Sequence, residues 1–422
     1  MPSSASGFPP FQLKQHHRFV VGFILTFQEQ KWQLHPTSFL YEHPARKEAN
    51  FLAQVHIING DALEQLKRIP SESIDSVVTD PPYGIGFYGA KWDTFSSNQA
   101  YAKWVESWAK EALRVLKPGG FLLSFAGTKT YHALAFGVES AGFDIRDQLI
   151  WLYTSGMPKM PDIARARHID HLPSGLGADL KPAHEPILVA RKPLIGTLEE
   201  NFRLYGVGAF FVERCRIGDA VSGWKGGRSR FGTLDGTASR TAYEVKGRYP
   251  ANVATLDADH WTHPYFGVDQ ENLTPKTVST KILPEDRDTD IFGRTIPVPL
   301  KPSAKMPLRR KDREHAGEGR SRTVQKTTAR NPHPTSKPTP LLRWLIRLVT
   351  PETGHVLDPF CGSGSTLKAA VLEGCQATGI EREPMYAKIA RFRAGLWNLS
   401  DVESLQGTEE QPEAVQLSLF GY

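Results

Sequence analysis

Short apolar segments alternate with amphipathic ones along two stretches of this 422-residue chain. Short apolar runs predict buried strands, and apolar residues near a 3.6-residue spacing predict helices. The predicted strands are "VHIING", "IDSVVTD", "GFLLSFAG", "FDIRDQLIWLY" and "HEPILVARK" in the first stretch, and "HVLDPF" and "QATGIE" in the second. Strands that alternate with helices pack into layers, so the pattern predicts an α/β fold with a doubly wound, mostly parallel sheet.

The alternation is interrupted in the middle of the chain. It ends near Pro193, and the residues that follow are rich in Gly, Pro, Thr and Arg and have little periodicity. The interruption predicts five segments: an N-terminal extension (1–52), a first half of the α/β domain (53–194), an irregular insertion (195–330), a second half (331–398) and a polar, acidic tail (399–422).

The segment "LDPFCGSGST" joins a predicted strand to a predicted helix through a glycine turn. It lacks the lysine of a phosphate-binding P-loop, and Leu367 stands where a dinucleotide fingerprint requires its third glycine. Glu381 follows Gly364 by 17 residues and ends the next strand, where an acid can bind ribose hydroxyls in a doubly wound fold. The combination favours a nucleoside cofactor without a pyrophosphate, such as S-adenosylmethionine.

The segment "SVVTDPPYGIGF" takes the chain out of a strand through two consecutive prolines. Proline fixes φ and lacks an N–H, and the residue before it is pushed out of the helical region. The sequence therefore predicts a stiff, extended turn that presents the Asp80 carboxylate, bare carbonyls and the Tyr83 ring.

Taken together, "TDPPYGIGF" and "VLDPFCGSGST" resemble the two signature motifs of DNA amino-methyltransferases, and "RVLKPGG", "KPAHEPILVARKP" and "NPHPTSKP" add further matches. The D-P-P-Y motif comes first, which resembles the permuted β group of bacterial and phage enzymes. The resemblance implies a class I (Rossmann-like) methyltransferase fold with circularly permuted motif order. It also implies a catalytic half at 53–194, a target-recognition insertion at 195–330 and a cofactor-binding half at 331–398.

The resemblance implies that Asp80, Pro81, Pro82 and Tyr83 are catalytic. The Asp80 carboxylate and the Pro81 carbonyl would accept the two hydrogens of an exocyclic amine, and Tyr83 would stack on a base flipped out of the duplex. The following loop, with Trp92 and Asp93, would close over that base, or Trp92 would anchor the next helix.

The resemblance also implies an S-adenosylmethionine site. Its candidate residues are Asp61, Thr335, Lys337, Asp358, Phe360, Gly362, Gly364, Ser365 and Glu381. Two of them have plainer readings, since Asp61 could cap a helix and Lys337 could be a surface lysine. Cys361 stands where the family often has Ala or Gly and is given no chemistry.

The function predicted from these motifs is transfer of a methyl group to the N6 amine of adenine in duplex DNA, as in restriction–modification systems. The first alternative is a cytosine-N4 DNA methyltransferase. RNA or protein-amide methylation is a further alternative, against which the permuted order and the large basic insertion argue. A catalytically silent DNA-binding relative is another, against which the intact D-P-P-Y motif argues.

A local excess of positive charge lies at the end of the insertion. The whole chain has a formal charge of +6, and residues 301–330 hold ten basic and three acidic residues. A solvated loop and a phosphate-binding segment are both consistent with this pattern. The candidate phosphate contacts are Arg309, Arg310, Lys311 and Arg313, which are called the basic quartet below.

The tail ends in "QLSLFGY", an apolar cluster behind a polar stretch. Gln416, Leu417, Leu419 and Phe420 resemble the pentapeptide by which bacterial replication proteins bind the sliding clamp. Such a peptide would raise the concentration of the enzyme on newly copied DNA. The alternative is that the segment docks on the protein's own surface.

The remaining expectations concern metals and location. The scattered histidines and three cysteines form no ligand spacing, so no metal is predicted. The early apolar run "FVVGFILTF" is too short to span a bilayer, and few cysteines suit a reducing cytoplasm, so a cytoplasmic, nucleoid-associated enzyme without membrane contact is expected. A homodimer is compatible with the sequence.

Overall fold

The structure is a computed structural model. It describes residues 55–153, 173–177, 179–224, 227–228, 239–240, 243–256, 266–268, 284–296 and 331–396. The N-terminal extension, the basic quartet and the predicted clamp peptide lie outside these residues.

Twelve strands fall within the described ranges. They are β1 (Val55–Asn59), β2 (Ile74–Thr79), β3 (Leu116–Phe125), β4 (Asp144–Leu152), β5 (His184–Arg191), β6 (Ile217–Trp224), β7 (Gly227–Arg228), β8 (Ser239–Arg240), β9 (Tyr243–Arg248), β10 (Val253–Thr255), β11 (His355–Asp358) and β12 (Gln376–Glu381). The helices in the same ranges are α1 (Ala62–Leu66), α2 (Asn98–Val115), α3 (Tyr131–Ser140), α4 (Leu198–Tyr205), α5 (Pro284–Asp288), α6 (Thr339–Val349), α7 (Ser365–Leu372) and α8 (Pro384–Arg393).

Eight strands form one sheet in the order β1-β12-β11-β2-β3-β5-β4-β10. Every pairing is parallel except those of β5, which runs antiparallel to both β3 and β4. The predicted doubly wound, mostly parallel α/β fold is therefore confirmed. The reversal of β5 was not predicted, because an apolar run has the same sequence pattern in either direction.

Both faces of the sheet are covered, which explains why β2 is buried along its whole length. Successive residues of a strand point to opposite faces. Val77 accordingly packs in the cluster that contains Trp108 of α2, whereas Val78 packs in the cluster that contains Leu345 of α6. Continuous apolar strands such as this one are typical of parallel sheets between two helical layers.

Helix α2 illustrates how local sequence positions these layers. The Ser97 hydroxyl accepts a hydrogen bond from the Ala100 N–H and so caps the helix. The buried residues of α2 recur at helical spacing, as in Tyr101, Val105 and Trp108, and form one apolar stripe against the sheet.

The sheet has a switch point between β11 and β2. From β11 the chain crosses to β12 on one side, and from β2 it crosses to β3 on the other. In open α/β sheets the crevice at the carboxyl ends of two such strands is where ligands bind. The glycine turn follows β11 and the D-P-P-Y turn follows β2, so the fold brings the two motifs to one crevice.

Parts of the predicted insertion pack on the α/β domain. Strand β10 extends the main sheet beside β4, and the Phe211 N–H donates to the Leu348 carbonyl of α6. The Asp286 carboxylate of α5 accepts from the Thr339 N–H (2.7 Å) and from Lys368 Nζ (3.1 Å). The role of 195–330 in target recognition stays a prediction. Among the helices in the described ranges, none has the length and apolar character needed to cross a bilayer.

Candidate active site

The D-P-P-Y turn is fixed by side chains from two helical segments. The Tyr101 hydroxyl donates to the Pro82 carbonyl (2.8 Å), and the Thr130 hydroxyl donates to the Tyr83 carbonyl (2.5 Å). No residue in the described part of the chain donates to the Pro81 carbonyl. In this turn the Pro82 and Tyr83 carbonyls therefore already accept hydrogen bonds, whereas the Pro81 carbonyl still has its acceptor capacity.

The loop after Tyr83 is closed by the Asp93 carboxylate. It accepts from the N–H groups of Gly84 (2.7 Å), Ile85 (3.2 Å) and Phe87 (2.7 Å), and the Asp93 carbonyl accepts from the Gly86 N–H (2.9 Å). The Asp93 side chain is buried. It therefore acts as an internal clamp on this loop.

Trp92, the neighbour of this clamp, is 42% exposed and packs against Phe87 with ring centroids 6.5 Å apart. Its side chain is therefore partly open to solvent. The predicted closure of this loop over a flipped base stays a prediction.

Asp80 lies in a buried charged cluster. Lys337 Nζ donates to Asp80 Oδ2 (2.5 Å) and lies 3.6 Å from Glu185 Oε2. The Tyr83 hydroxyl donates to the same Glu185 oxygen (3.1 Å), and Lys337 Nζ lies 5.4 Å from the centroid of the Tyr83 ring. The alternative of a surface position for Lys337 is wrong, because this lysine is buried beside the D-P-P-Y motif.

The second oxygen of Asp80 has no partner. Asp80 Oδ1 is buried, and no described residue donates a hydrogen bond to it. Burial raises the pKa of the Asp80 carboxyl above its ordinary value, although the Lys337 ammonium opposes the rise. Burial, and then the charges of Asp80 and Glu185, raise the pKa of Tyr83, so its hydroxyl stays protonated and able to donate.

Asp358 joins the two motifs across the switch point. Its Oδ1 atom accepts from the Thr79 hydroxyl at the end of β2 (2.7 Å) and from the Phe360 N–H (3.1 Å). Burial raises the pKa of the Asp358 carboxyl to about 6. These contacts tie the end of β2 to the start of the glycine turn.

Glu381 lies beside the glycine turn, as the sequence predicted. Its Oε2 atom accepts from the Gly362 N–H (2.9 Å) and its Oε1 atom from the Glu383 N–H (2.7 Å). Burial raises the pKa of this carboxyl above its ordinary value. The remaining acceptor capacity of a carboxylate suits the two hydroxyls of a ribose.

The two glycines of the turn are required by packing. Gly362 has φ +51°, and a Cβ there would lie 2.6 Å from His333 Nε2. Gly364 has φ +81°, and a Cβ would lie 2.7 Å from the Ala390 Cα of α8. A side chain at Gly364 would therefore first meet α8.

Four other predicted cofactor residues have structural contacts of their own. Asp61 caps α1 by accepting a hydrogen bond from the Leu63 N–H (3.0 Å), which is the plainer of its two readings. The Ser365 hydroxyl accepts a hydrogen bond from the buried Arg393 guanidinium (2.8 Å). The Phe360 ring packs on the indoles of Trp104 and Trp108, and the Thr335 N–H donates to His333 Nδ1 (3.4 Å). Their cofactor roles stay predictions.

Sequence reasoning missed several residues that shape the site. Glu185 lies in the predicted strand "HEPILVARK", and the only sequence signal of its role is that it is an acid in an apolar strand. Asn331 was also missed. Its side-chain amide donates to the Ser363 hydroxyl of the glycine turn (3.0 Å), and its backbone N–H donates to the Asp288 carboxylate (3.0 Å).

His333 was missed as well, and it packs against Gly362. Burial lowers the pKa of His333 to about 3, so its imidazole is neutral.

The residues at the crevice fit the nucleoside cofactor that the sequence implies. Glu381 supplies a carboxylate for ribose hydroxyls beside the turn, and the neutral His333 places no positive charge against a cationic sulfonium. Asp80 Oδ1 supplies an unpaired buried acceptor at the neighbouring strand end. Within the described ranges, no group of three or more His, Cys, Asp or Glu side chains could hold a metal ion.

Two proteins of known function are similar to this chain in sequence. The type II methyltransferase M.HindIII of Haemophilus influenzae is 24% identical over 385 residues, which are 81% of this chain and 95% of that protein. The type II methyltransferase M.HinfI of Haemophilus influenzae is 32% identical over 116 residues, which are 24% of this chain and 32% of that protein.

Two solved structures are also similar to this chain. PvuII DNA methyltransferase (cytosine-N4-specific) has a TM-score of 0.44 and 17% identity and covers 84% of this chain and 90% of its own. The complex of M1.HpyAVI with S-adenosylmethionine has a TM-score of 0.37 and 16% identity. The match covers 80% of this chain and 99% of the M1.HpyAVI chain. The sequence profile of the N6/N4 family, described as DNA methylase, matches residues 74–392. The chain therefore belongs to the N6/N4 DNA methylase family, whose members use S-adenosylmethionine as methyl donor.

Proposed function

We propose that this enzyme methylates the N6 amine of adenine in a specific sequence of duplex DNA. The observation that carries the proposal is the unpaired, buried Oδ1 atom of Asp80, next in sequence to the Pro81 carbonyl, to which no described residue donates. A buried acceptor without a donor costs about 1–3 kcal/mol, and a substrate amine would relieve that cost. S-adenosylmethionine, when bound, supplies a methyl group on a positively charged sulfur.

Two acceptors are what an exocyclic amine needs in order to react. Its lone pair is delocalised into the ring, and hydrogen bonds from both N–H groups favour a tetrahedral nitrogen with a free lone pair. Asp80 Oδ1 and the Pro81 carbonyl would accept these two bonds. The methylated nitrogen must then release one proton, for which Asp80 is the ionisable acceptor. The gain comes from positioning and electrostatics, without a covalent enzyme intermediate.

The depth of Asp80 supports extrusion of the target base. Its Oδ1 atom is buried at the end of β2, where an amine inside a stacked duplex could not reach it. The Tyr83 ring beside it would stack on the extruded base. If the target adenine is replaced by 2-aminopurine, its fluorescence should rise on binding; an unchanged signal would count against extrusion.

The direct test is a methylation assay on duplex DNA followed by mass spectrometry of the nucleosides. The parent should form N6-methyladenine, and Asp80→Ala should lower the rate by about 100-fold or more, since this variant removes an acceptor for the reacting amine. Glu373→Gln is the matched control, because Glu373 is a half-buried carboxylate paired with Arg343 and Arg347 instead of with the motif. An active Asp80→Ala enzyme would refute the mechanism.

The same assay decides the alternative. N4-methylcytosine as the product would show the cytosine enzyme, which shares the amine chemistry and the same two acceptors. Single-molecule sequencing of DNA from expressing cells would add the recognition sequence. Its target would be chromosomal DNA in the cytoplasm, with the basic quartet as the proposed phosphate-binding segment of the insertion and the C-terminal peptide as a proposed tether.

A further inference from the structure

Glu185 reaches the crevice because its strand runs backwards. It is the second residue of β5, which lies antiparallel between β3 and β4. The start of an antiparallel strand lies at the same sheet edge as the carboxyl ends of its parallel neighbours. The reversal of one strand therefore adds a second carboxylate to the edge that already holds Asp80.

Lys337 reaches the same point from the opposite end of the chain. It precedes α6 by two residues, and α6 packs on the face of the sheet that includes Val78. Its ammonium lies 2.5 Å from Asp80 Oδ2 and 3.6 Å from Glu185 Oε2. One ammonium is thus shared by two carboxylates, which gives the cluster a formal charge of −1 when all three are ionised.

We propose that Glu185 and Lys337 are opposed positioning residues that set how strongly Asp80 accepts the hydrogen of the target amine. This inference rests on the amine-methylation function proposed above. Lys337 holds Asp80 Oδ2, so that Oδ1 remains for the substrate. Glu185 competes with Asp80 for the charge of the Lys337 ammonium. It also accepts a hydrogen bond from the Tyr83 hydroxyl, which orients the ring proposed to stack on the base.

The net negative charge matches the chemistry. The amine nitrogen becomes positive as it gains the methyl group, and a fixed negative charge beside it stabilises that change more in the transition state than in the ground state. With Lys337 and Asp80 alone the pair would be neutral. Glu185 restores the charge without touching the amine.

This role differs from the cofactor role expected for Lys337. Its ammonium also lies 5.0 Å from the centroid of the Phe125 ring and is buried among groups of the D-P-P-Y side of the crevice. The two roles make different predictions. A cofactor contact would weaken S-adenosylmethionine binding when lost, whereas a positioning contact to Asp80 would leave that binding unchanged.

Several titratable groups act on Asp80, and they set the expected pH dependence. Lys337 lowers the pKa of Asp80 and Glu185 raises it, while Tyr83 and the more distant Asp358 and Tyr101 stay in place in every variant considered. Asp80 must be ionised to accept the amine hydrogen, so activity falls on the acid side as it takes up a proton.

The experiment compares pH profiles of kcat/KM for variants of the full-length enzyme on duplex DNA. Glu185→Gln removes a charge that raises the pKa of Asp80, so the acid limb should move to lower pH. Lys337→Met removes a charge that lowers that pKa, so the limb should move to higher pH. Each variant should lose about 10- to 100-fold in kcat, as expected for one lost charged hydrogen bond, with a smaller change in KM.

Matched variants separate this effect from a loss of structure. Glu185→Asp keeps the charge and should keep the parent's acid limb even if its kcat falls. Glu373→Gln removes a half-buried, ion-paired carboxylate elsewhere and should keep the parent's acid limb too. Calorimetry with S-adenosylmethionine should give parent-like affinity for Lys337→Met, as expected if its ammonium serves Asp80.

Three outcomes would overturn the inference. The acid limbs of the Glu185→Gln and Lys337→Met pH profiles could move in the same direction, or they could stay where the parent's limb is. The third is weakened S-adenosylmethionine binding in Lys337→Met. If Glu185→Gln does not fold, the direction found for Lys337→Met and the calorimetry still decide. Failure of the proposed function is distinguishable, because Asp80→Ala would then retain activity, whereas failure of this inference alone leaves Asp80→Ala inactive.

Discussion

The clamp formed by Asp93 should control the catalytic loop, and Asp93→Asn tests this with almost no change in shape. Oδ1 accepts from Gly84, and Oδ2 accepts from Ile85 and Phe87. An asparagine keeps only one acceptor oxygen. Whichever way its amide turns, the NH₂ group faces at least one N–H that it cannot satisfy, and the negative charge is gone.

The size of the effect follows from these bonds. A hydrogen bond to a charged group contributes about 1.5–3 kcal/mol, so the orientation that loses only the Gly84 bond already costs about that much. Release of the loop would also free Gly84 and Gly86, which both have positive φ and gain the most backbone freedom. If the loop must be closed for catalysis, kcat/KM should fall by about 10- to 100-fold.

The assay measures kcat/KM on duplex DNA together with urea unfolding. Asp290→Asn is the matched control, because the Asp290 carboxylate also holds a turn, through the N–H groups of Phe292 and Arg294, but outside the catalytic motif. Both variants should lose stability, and only Asp93→Asn should lose activity beyond what unfolding explains. A parent-like kcat/KM in Asp93→Asn would refute the idea that the Asp93 carboxylate controls this loop.

Further predictions concern the cofactor, the DNA and the tail. Glu381→Ala should weaken S-adenosylmethionine binding by about 1.5–3 kcal/mol in calorimetry, whereas Glu383→Ala, an exposed neighbour, should not; equal affinities would contradict the site. Neutralising the basic quartet should flatten the salt dependence of DNA binding by about one unit of slope per lost contact, and an equally steep slope would mean that the four are solvated. Leu419→Ala with Phe420→Ala should abolish capture of purified sliding clamp but not methylation of short DNA; retained capture would exclude the tether.

Local patterns made the two motif strands and their turns predictable. The apolar run before Asp80, the two prolines after it and the glycines after Phe360 are all signals within about a dozen residues. The same local signals placed Glu381 at the end of β12, beside the turn it was expected to serve.

Long-range contacts could not be read in this way. Lys337 and Asp80 are separated by 257 positions, and no periodicity records that they meet. The direction of β5, which brings Glu185 to the site, depends on which neighbours it pairs with, and an apolar run is the same in both directions. Gly364 shows a third case, since a glycine required for packing on Ala390 has the same sequence signature as one required for ligand approach.

The strand order also explains why the motif order along the chain matters little to the site. Strands β11 and β12 of the second half lie between β1 and β2 of the first, so the two halves are interleaved. Asn59 of β1 pairs with Glu381 of β12, although 322 positions separate them, and this pairing brings Asp61 to the same sheet edge as Glu381.

Interleaving requires the chain to close a long loop through the insertion, yet the cost of its length is small. Each doubling of a flexible loop costs only about 0.6 kcal/mol, because closure entropy grows with the logarithm of length. A hydrogen bond across the junction, such as the one that Thr79 donates to the buried Asp358, stabilises the folded chain by a similar or greater amount. A longer insertion between the two halves therefore costs little stability, so residues 195–330 can vary in length while Thr79 and Asp358 hold the two motif strands together.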